Sequence, residues 1–290
     1  MKEYGEILEN VDLKKYNTYG IGGCAKYVIY PSSIANLQKL LKCLANKNIS
    51  WYVLGGGSNV ILPDQDFSGA IIKLDKLDKY TVDRDKVIVE AGISLAKFVK
   101  SMLDDGYTNY GSLMGIPGLL GGAIRGNAGA YGINIFDYLI SVTIMDELGN
   151  IRKLKKDDIK YDYRETEFKK QNIIIIAAEF QGVKGDVILE LDNIIKNAKK
   201  RKNTQPLEYK NAGSVFKNPP GLSAGYMIEH AGLKGITMGG AQVSEKHANF
   251  IINYNNATSR DIIGLIELIK KEVKNKYKVE LVLEQQQIIW

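Results

Sequence analysis

The sequence predicts a mixed α+β protein with at least two domains. Its 290 residues exceed the length of one typical domain. Short β-branched runs, typical of buried strands, alternate with amphipathic stretches that are typical of helices. The stretch Thr204-Gln205-Pro206 separates these elements from a last part that contains a long amphipathic helix. The sequence therefore predicts strands and helices in both parts, with a domain boundary near this proline.

Strands and helices alternate in the first third of the chain. Ser32-Ser33 predicts the start of a helix at 34–46, because a serine hydroxyl can accept a hydrogen bond from the first helical turn. Ser94 predicts the start of a second helix, which Gly106 ends in the left-handed conformation common after helices. Four strands are predicted: AKYVIY (25–30), WYVL (51–54), GAIIKL (69–74) and KVIVEAG (86–92).

The rest of the chain continues the mixture. A hairpin is predicted from ISVTIMDE (140–147) and IRKL (151–154), turned at 148–150. Ile262, Ile266, Ile269 and Val273 recur at 4-3-4 spacing and predict a long helix with one buried face. The other predictions are strands at 172–183, 248–253 and 279–290, and helices at 186–203 and 223–232.

Composition and charge narrow the classes of function. The net charge of +6 and the lack of a basic stripe with interleaved aromatics favour an anionic small molecule over nucleic acid. Cys24 and Cys43 are too few for a disulfide framework and lack metal-ligand spacing, so we expect a reducing cytoplasm and no metal. The N-terminal residues show no signal peptide, and the apolar run 173–178 is too short to span a membrane.

Two glycine-rich segments suggest a ligand site. GGGSN (55–59) directly follows a predicted strand, and its backbone N–H groups and polar side chains suit a pyrophosphate. A plain tight loop is the alternative interpretation. The denser segment 115–132 suits backbone laid against a flat ligand. A GxxxxGK[ST] motif is absent, which disfavours a Walker-type triphosphate site.

Seven motifs in order resemble one family. They are NTYGIGG (17–23), GGGSN (55–59), IPGLLGGA (116–123), NAGAYG (127–132), YRET (163–166), GSVFKNP (213–219) and GGAQVSEKHANFIIN (239–253). In this order they resemble the UDP-N-acetylenolpyruvoylglucosamine reductases (MurB), flavoenzymes of peptidoglycan precursor synthesis, in their shorter subclass. Each motif is weak alone, and the combination spans most of the chain.

The resemblance implies an FAD-binding fold of the vanillyl-alcohol oxidase and p-cresol methylhydroxylase type, with two α+β subdomains and a C-terminal α+β substrate domain. We expect the FAD-binding subdomains at 1–78 and 79–203 and the substrate domain at 204–290. The resemblance also implies NADPH as hydride donor and a UDP-sugar as substrate. FAD should be non-covalent, because both histidines, at 230 and 247, lie in the last domain. We expect a cytoplasmic, bacterial and monomeric enzyme.

The resemblance also assigns roles to residues. Ser214 is the expected proton donor, Arg164 the group that grips the substrate carboxylate, and Glu284 a group that polarises the enolpyruvyl moiety. An exposed helical arginine is the alternative for Arg164, and a strand-end serine the alternative for Ser214. The expected substrate contacts are Tyr131, Arg201, Asn218 and His247. The expected FAD contacts are Gly55, Gly56, Gly57, Ser58, Asn59, Ile116, Pro117, Gly118, Gly121, Gly122, Asn127, Gly129 and Ala130.

Two segments depart from the family pattern. Gln285-Gln286-Gln287 replaces a mixed apolar and basic strand, which could displace Glu284. Arg125-Gly126 replaces a more apolar pair in the flavin segment, and Arg125 could alter cofactor affinity or potential. Two alternatives therefore remain: a flavin oxidase or dehydrogenase of the same fold acting on another small molecule, and a flavin-binding relative that has lost activity.

Overall fold

The structure is a computed structural model that describes residues 1–290. Its helices are α1 (Ile34–Asn46), α2 (Leu95–Asp104), α3 (Leu120–Gly126), α4 (Val187–Thr204), α5 (Ala224–His230) and α6 (Ser259–Tyr277). Its strands are β1 (Gly5–Asp12), β2 (Cys24–Pro31), β3 (Trp51–Val53), β4 (Val60–Ile61), β5 (Phe67–Ile72), β6 (Tyr80–Asp83), β7 (Lys86–Glu90), β8 (Gly129–Ala130), β9 (Ile133–Asn134), β10 (Leu139–Asp146), β11 (Ile151–Lys155), β12 (Tyr161–Asp162), β13 (Glu165–Thr166), β14 (Ile173–Gln181), β15 (Thr237–Met238), β16 (Ala241–Val243), β17 (Ile251–Asn253) and β18 (Gln286–Gln287). The predicted α+β class is confirmed.

The chain forms two compact units, and each is assembled from separate segments. The first unit comprises Met1–Glu9, Lys26–Gly56 and Ser68–Lys199. The second unit comprises Asn10–Ala25, Gly57–Phe67 and Lys200–Trp290. Each unit has its own core of buried apolar residues. The expected boundaries at 78/79 and 203/204 stay a prediction.

The first unit contains a five-stranded sheet. Its strand order is β11-β10-β14-β7-β6, and neighbouring strands are antiparallel. The predicted hairpin is confirmed, since β10 and β11 pair from Ser141 with Lys155 to Met145 with Ile151. Gly149, in the turn, has a φ of 84°, which glycine adopts without the steric cost of a side chain.

The predicted caps of the first two helices are confirmed. Ser33 Oγ accepts a hydrogen bond from Asn36 N at 3.1 Å, and α1 begins at the next residue. Ser94 Oγ accepts one from Lys97 N at 3.2 Å at the start of α2. These bonds satisfy N–H groups that the first turn of a helix leaves without partners. Both helices then bury apolar side chains in the core of the first unit.

Helix α3 lies inside the glycine-dense segment, where no helix was predicted. Leu120 N donates to Ile93 O and Gly121 N donates to Ala91 O, both at 2.9 Å. These partners precede α2 in the chain, so the first turn of α3 is held by backbone distant in sequence. Glycines disfavour a helix locally, and tertiary hydrogen bonds overcome that preference here.

Helix α6 organises the second unit. Ile262, Ile266, Ile269 and Val273 are all buried, which confirms the face predicted from their spacing. Thr258 and Asp261 form a reciprocal capping box at the start of this helix. A three-stranded antiparallel sheet, β15-β16-β17, shares the same core. No helix of the chain combines the length and apolar character needed to cross a bilayer.

The prediction of a strand across 279–290 is wrong for most of its length. Only Gln286–Gln287 pairs as a strand, parallel to β4. Before it, Lys217 N donates to Val282 O and Glu284 N donates to Val215 O, at 2.9 and 2.8 Å. The tail therefore changes partner from the 215–217 segment to β4 within a few residues, and no ladder can grow long.

Candidate functional site

The two glycine-rich segments meet at Gly56 and Gly118 in the first unit. A Cβ on Gly56 would lie 2.6 Å from the Cα of Gly118, closer than side-chain carbons approach backbone. The absence of a side chain therefore permits this backbone contact. Beneath the first segment, the buried Lys73 donates from Nζ to Gly55 O at 2.5 Å. Burial lowers the pKa of the Lys73 ammonium, while the nearby Asp75 opposes that shift.

Helix α3 carries a bare stripe, which we define as Gly122 and Gly126. The two residues are one helical turn apart and lie on one face of the helix. A Cβ on either one would have no heavy atom within 4 Å. The preceding residue, Gly121, is tight instead, since its Cβ would lie 3.1 Å from Ala91 Cβ. One side of α3 is therefore packed and the other offers open backbone, which fits a flat ligand.

Three residues around this helix adopt left-handed backbone although they are not glycine. Their φ values are 43° for Asn127, 52° for Tyr131 and 54° for Arg164. This conformation is costly for residues with a Cβ, and strained residues of this kind concentrate at functional sites. Asn127 is buried, and its Oδ1 has no hydrogen-bond partner within the protein. Backbone strain and an unpaired polar atom thus occur together, in motifs that were predicted to form the site.

Arg164 lies in the turn between β12 and β13, so the alternative of a helical arginine is wrong. Its Nη2 donates to Gly129 O, and Nη1 is 3.4 Å from Asn127 O. Its guanidinium also lies 5.1 Å from the centre of the Tyr163 ring. The structure therefore brings the YRET and NAGAYG motifs together, as expected if both contribute to one site.

Arg125 and Thr166 connect the same two regions. Thr166 is buried and donates from Oγ1 to Arg125 O at 2.6 Å. The Arg125 guanidinium reaches the carbonyls of Lys169 and Gln171, each at 3.4 Å from Nη2. Burial lowers the pKa of Arg125. The unexpected arginine thus binds backbone in the first unit of the fold.

Ser214 lies in a loop of the second unit that is held through its backbone. Val215 N donates to Asn249 O at 2.9 Å. The Asn249 side chain accepts from Phe216 N at 3.0 Å and donates to Phe216 O at 2.8 Å. The buried side-chain amide of Asn249 therefore makes the two backbone hydrogen bonds that a neighbouring strand would otherwise make with Phe216. Asn249 lies in a quoted motif, but its role was not predicted.

Glu284 lies beside this loop. Glu284 N donates to Val215 O at 2.8 Å, next to Ser214 in sequence. Asn59 joins the arrangement, because its Nδ2 is 3.3 Å from Glu284 O and its own carbonyl accepts from Gln286 N at 2.9 Å. The structure thus ties the Glu284 backbone to the residue that follows Ser214 and to Asn59. The displacement of Glu284 by the glutamines stays a prediction.

The expected substrate contacts have diverse surroundings. Tyr131 donates from its hydroxyl to Asn197 O at 3.1 Å, and Asn218 Oδ1 accepts from Ala224 N at 3.0 Å at the start of α5. Arg201 lies on α4, and its Nε is 3.2 Å from Gln205 Oε1, just beyond the end of that helix. These bonds hold each side chain in place, and their roles toward a substrate stay a prediction.

His247 is half-buried and its ring orientation is fixed. Nδ1 accepts a hydrogen bond from Asn249 N at 3.2 Å, and the ring packs 4.8 Å from that of Phe250. Burial lowers the pKa of this imidazole, with the charge of Lys234 acting in the same direction. Because Nδ1 accepts the hydrogen bond from Asn249 N, the neutral form of the ring carries its proton on Nε2.

Two family models match the chain in separate regions. One, described as the UDP-N-acetylenolpyruvoylglucosamine reductase C-terminal domain, matches residues 205–288. The other, described as an FAD binding domain, matches residues 25–155. The second region contains both glycine-rich segments, and the first contains Ser214, Glu284 and His247.

Relatives match over almost the whole chain. The UDP-N-acetylenolpyruvoylglucosamine reductase of Carboxydothermus hydrogenoformans is 41% identical over 96% of this chain and 92% of its own length. That of Clostridium novyi is 38% identical over 95% of this chain and 90% of its own length. The crystal structure of the enzyme from Thermus caldophilus superposes with a TM-score of 0.81 at 28% identity, covering 98% of this chain and 99% of that one.

Proposed function

This chain belongs to the UDP-N-acetylenolpyruvoylglucosamine reductase family, and from that premise we propose how its residues perform the reaction. The protein is an FAD- and NADPH-dependent oxidoreductase that reduces UDP-N-acetylglucosamine enolpyruvate to UDP-N-acetylmuramate in peptidoglycan synthesis. That chemistry needs a surface for FAD, a cation for the substrate carboxylate and a proton donor. We assign these parts to the glycine-rich segments, to Arg164 and to Ser214 with Glu284.

The two glycine-rich segments and the bare stripe would hold FAD. Gly56 lies against Gly118, the GGGSN segment would supply backbone N–H groups, and Gly122 with Gly126 presents backbone free of side chains. Such surfaces suit a pyrophosphate and a flat ring. The remaining expected contacts are Ile116, Pro117, Gly121, Asn127, Gly129 and Ala130. The chemistry that FAD supplies when bound is hydride transfer, from NADPH to the enolpyruvyl double bond. We propose that FAD is held without a covalent bond.

Reduction of an enolpyruvyl ether develops negative charge next to a carboxylate. We propose that Arg164 binds that carboxylate through its planar fork of donors, which a lysine cannot reproduce. The contacts to Asn127 and Gly129 carbonyls support this assignment, because they orient the guanidinium beside the expected FAD segment. Left-handed backbone at Arg164 has an energetic cost that a binding role would explain.

Ser214 would donate the proton that completes the reduction. The carbon next to the carboxylate becomes basic once the hydride has arrived, so an ordinary hydroxyl can protonate it. Glu284 would orient the enolpyruvyl group beside Ser214. The hydrogen bond from Glu284 N to Val215 O is the observation that carries this proposal, since it ties Glu284 to the residue that follows Ser214. Tyr131, Arg201, Asn218 and His247 are proposed to bind the UDP-sugar.

Two anaerobic half-reactions test the proposal. In the first, NADPH should bleach the yellow protein. In the second, the UDP-enolpyruvyl sugar should restore the colour, whereas UDP-N-acetylglucosamine, which lacks the enolpyruvyl group, should not. A protein that cannot be reconstituted with FAD would refute both this function and the alternative flavin enzymes. A protein that is bleached but not reoxidised by the sugar would support the inactive relative.

Replacing Ser214 separates the half-reactions. Ser214→Ala should leave bleaching by NADPH unchanged and slow sugar-dependent reoxidation by about 10²–10⁴-fold, the usual contribution of a general acid. Ser214→Cys, which keeps a transferable proton, should retain more of the rate. Equal losses in both half-reactions would show that Ser214 has a structural role.

Localisation and assembly complete the proposal. We propose a cytoplasmic enzyme, because Cys24 and Cys43 are both free thiols, as a reducing compartment requires. We also propose a monomer and the domain limits 1–78, 79–203 and 204–290. Sedimentation of the FAD-bound protein tests whether it is a monomer, and limited proteolysis tests the domain limits.

A further inference from the structure

The unexpected glutamine tail contains one buried residue, Gln285. Its side chain is only 3% exposed, whereas Gln287 is exposed. Gln285 Nε2 lies 3.2 Å from Ala212 O and 3.3 Å from Gly213 O. Its Oε1 accepts a hydrogen bond from the hydroxyl of Tyr19 at 3.0 Å. A buried amide with donors and acceptor all paired is stabilising, and loss of one partner is costly.

Tyr19 orients the Gln285 amide. Its side chain is fully buried, and burial raises the pKa of the phenol far above its ordinary value. The hydroxyl therefore stays protonated and keeps donating to Gln285. A flip of the amide would turn Oε1 toward the Ala212 and Gly213 carbonyls, which are acceptors, and would lose both of these hydrogen bonds. Nε2 is thus fixed toward the carbonyls of Ala212 and Gly213.

Those carbonyls belong to the two residues that precede Ser214. Gly213 has a φ of 75°, so the chain turns sharply just before the serine. After the serine, Val215 O accepts from Glu284 N. Consecutive tail residues therefore hold the backbone on both sides of Ser214, Gln285 before it and Glu284 after it.

We propose that Gln285 is a positioning residue that holds the Ser214 hydroxyl in place for proton transfer to the reduced substrate. This inference rests on the proposed function. Gln285 would touch neither substrate nor cofactor and would act only through Ser214. The glutamine tail, which departs from the family pattern, would then support the proton donor.

The test compares two identical substitutions in the FAD-bound enzyme. Gln285→Met keeps the side-chain length and removes its hydrogen bonds, and Gln287→Met changes an exposed residue of the same tail. Gln285→Met should slow sugar-dependent reoxidation by about 10–100-fold, the scale expected when a reacting group is misplaced. Bleaching by NADPH should change less than about twofold, and Gln287→Met should match the wild type in both half-reactions.

A double mutant distinguishes positioning from general structural support. If Gln285 acts through Ser214, Gln285→Met should cause no further slowing in a Ser214→Ala background. Full additivity of the two effects, or equal slowing of both half-reactions, would overturn the inference. So would wild-type rates in Gln285→Met. A wild-type protein that the sugar fails to reoxidise would overturn the proposed function first, before any Gln285 variant is measured.

A second variant covers the case in which Gln285→Met does not fold. Tyr19→Phe keeps the ring and removes the hydroxyl that fixes Oε1. It should slow the sugar half-reaction by roughly threefold to tenfold, less than Gln285→Met, because the bonds to the 212–213 carbonyls remain possible. Unchanged sugar kinetics in Tyr19→Phe, with Gln285→Met unfolded, would refute the positioning role.

Discussion

Gly122→Ala should raise the stability of the cofactor-free protein while weakening FAD binding. Gly122 lies within α3, and a Cβ there would meet no protein atom within 4 Å. Alanine is more favourable than glycine inside a helix by about 0.5–1 kcal/mol. The apoprotein should therefore unfold about 2 °C higher than the wild type. The same methyl group would occupy the open side of the bare stripe, where we place FAD.

The loss of FAD affinity should be at least about tenfold, which corresponds to about 1.4 kcal/mol. Titration of apoprotein with FAD, followed by quenching of flavin fluorescence, measures the affinity, and a thermal melt of the same sample measures stability. Gly121→Ala is the matched control, because its methyl would lie 3.1 Å from Ala91 Cβ in the packed side of the same helix. That variant should melt at a lower temperature than the wild type.

Opposite signs for stability and affinity are the essential result for Gly122→Ala. A higher melting temperature with unchanged FAD affinity would show that FAD does not lie on the bare stripe. A lower melting temperature would show that the space beside Gly122 is filled in the folded protein, which would contradict the structure itself.

Three further variants test other contacts. Gly57→Ala should destabilise the protein by at least about 1–2 kcal/mol in urea unfolding, because φ is 64° and the Cβ would lie 2.1 Å from Tyr16 O. Thr166→Val should cost about 1–3 kcal/mol by the same assay, since Arg125 O would lose its buried donor. The pKa of His247 is about 6.5 in the unfolded chain and lower in the folded protein, so below pH 6.5 the unfolded chain binds a proton more readily than the folded protein does. Stability should therefore fall as the pH drops through 6.5 toward the lower folded value, and less so in His247→Gln.

The fold could be predicted where local signals were strong. Ser33 and Ser94 cap helices through their own side chains, and the apolar spacing in α6 is a property of the segment itself. Helix α3 could not be predicted, because its first turn depends on the carbonyls of Ala91 and Ile93. The tail could not be predicted either, since its partners lie more than 60 residues away in the chain.

The candidate site, like the fold, could be predicted only in part. The motifs indicated Arg164 and Ser214, and the resemblance indicated Glu284. The left-handed backbone of Arg164 and the amide that replaces a strand beside Phe216 depend on tertiary contacts that no motif contains. Asn249 had a signal, because it is a polar residue next to the apolar run 250–252 of a predicted strand.

Arg125 and Gln285 show how a departure from a family pattern should be judged. Both are polar residues in segments that depart from the family pattern, and a buried polar group without partners would destabilise the fold. Arg125 reaches two backbone carbonyls, and Gln285 pairs with two carbonyls and a phenol. Since each group has backbone partners, neither substitution requires the site to be lost. The two differ in what they hold, because Arg125 supports the segment after β13 whereas Gln285 holds the residues that precede Ser214. Of these two residues, Gln285 is therefore the one whose variants should change catalysis without changing cofactor binding.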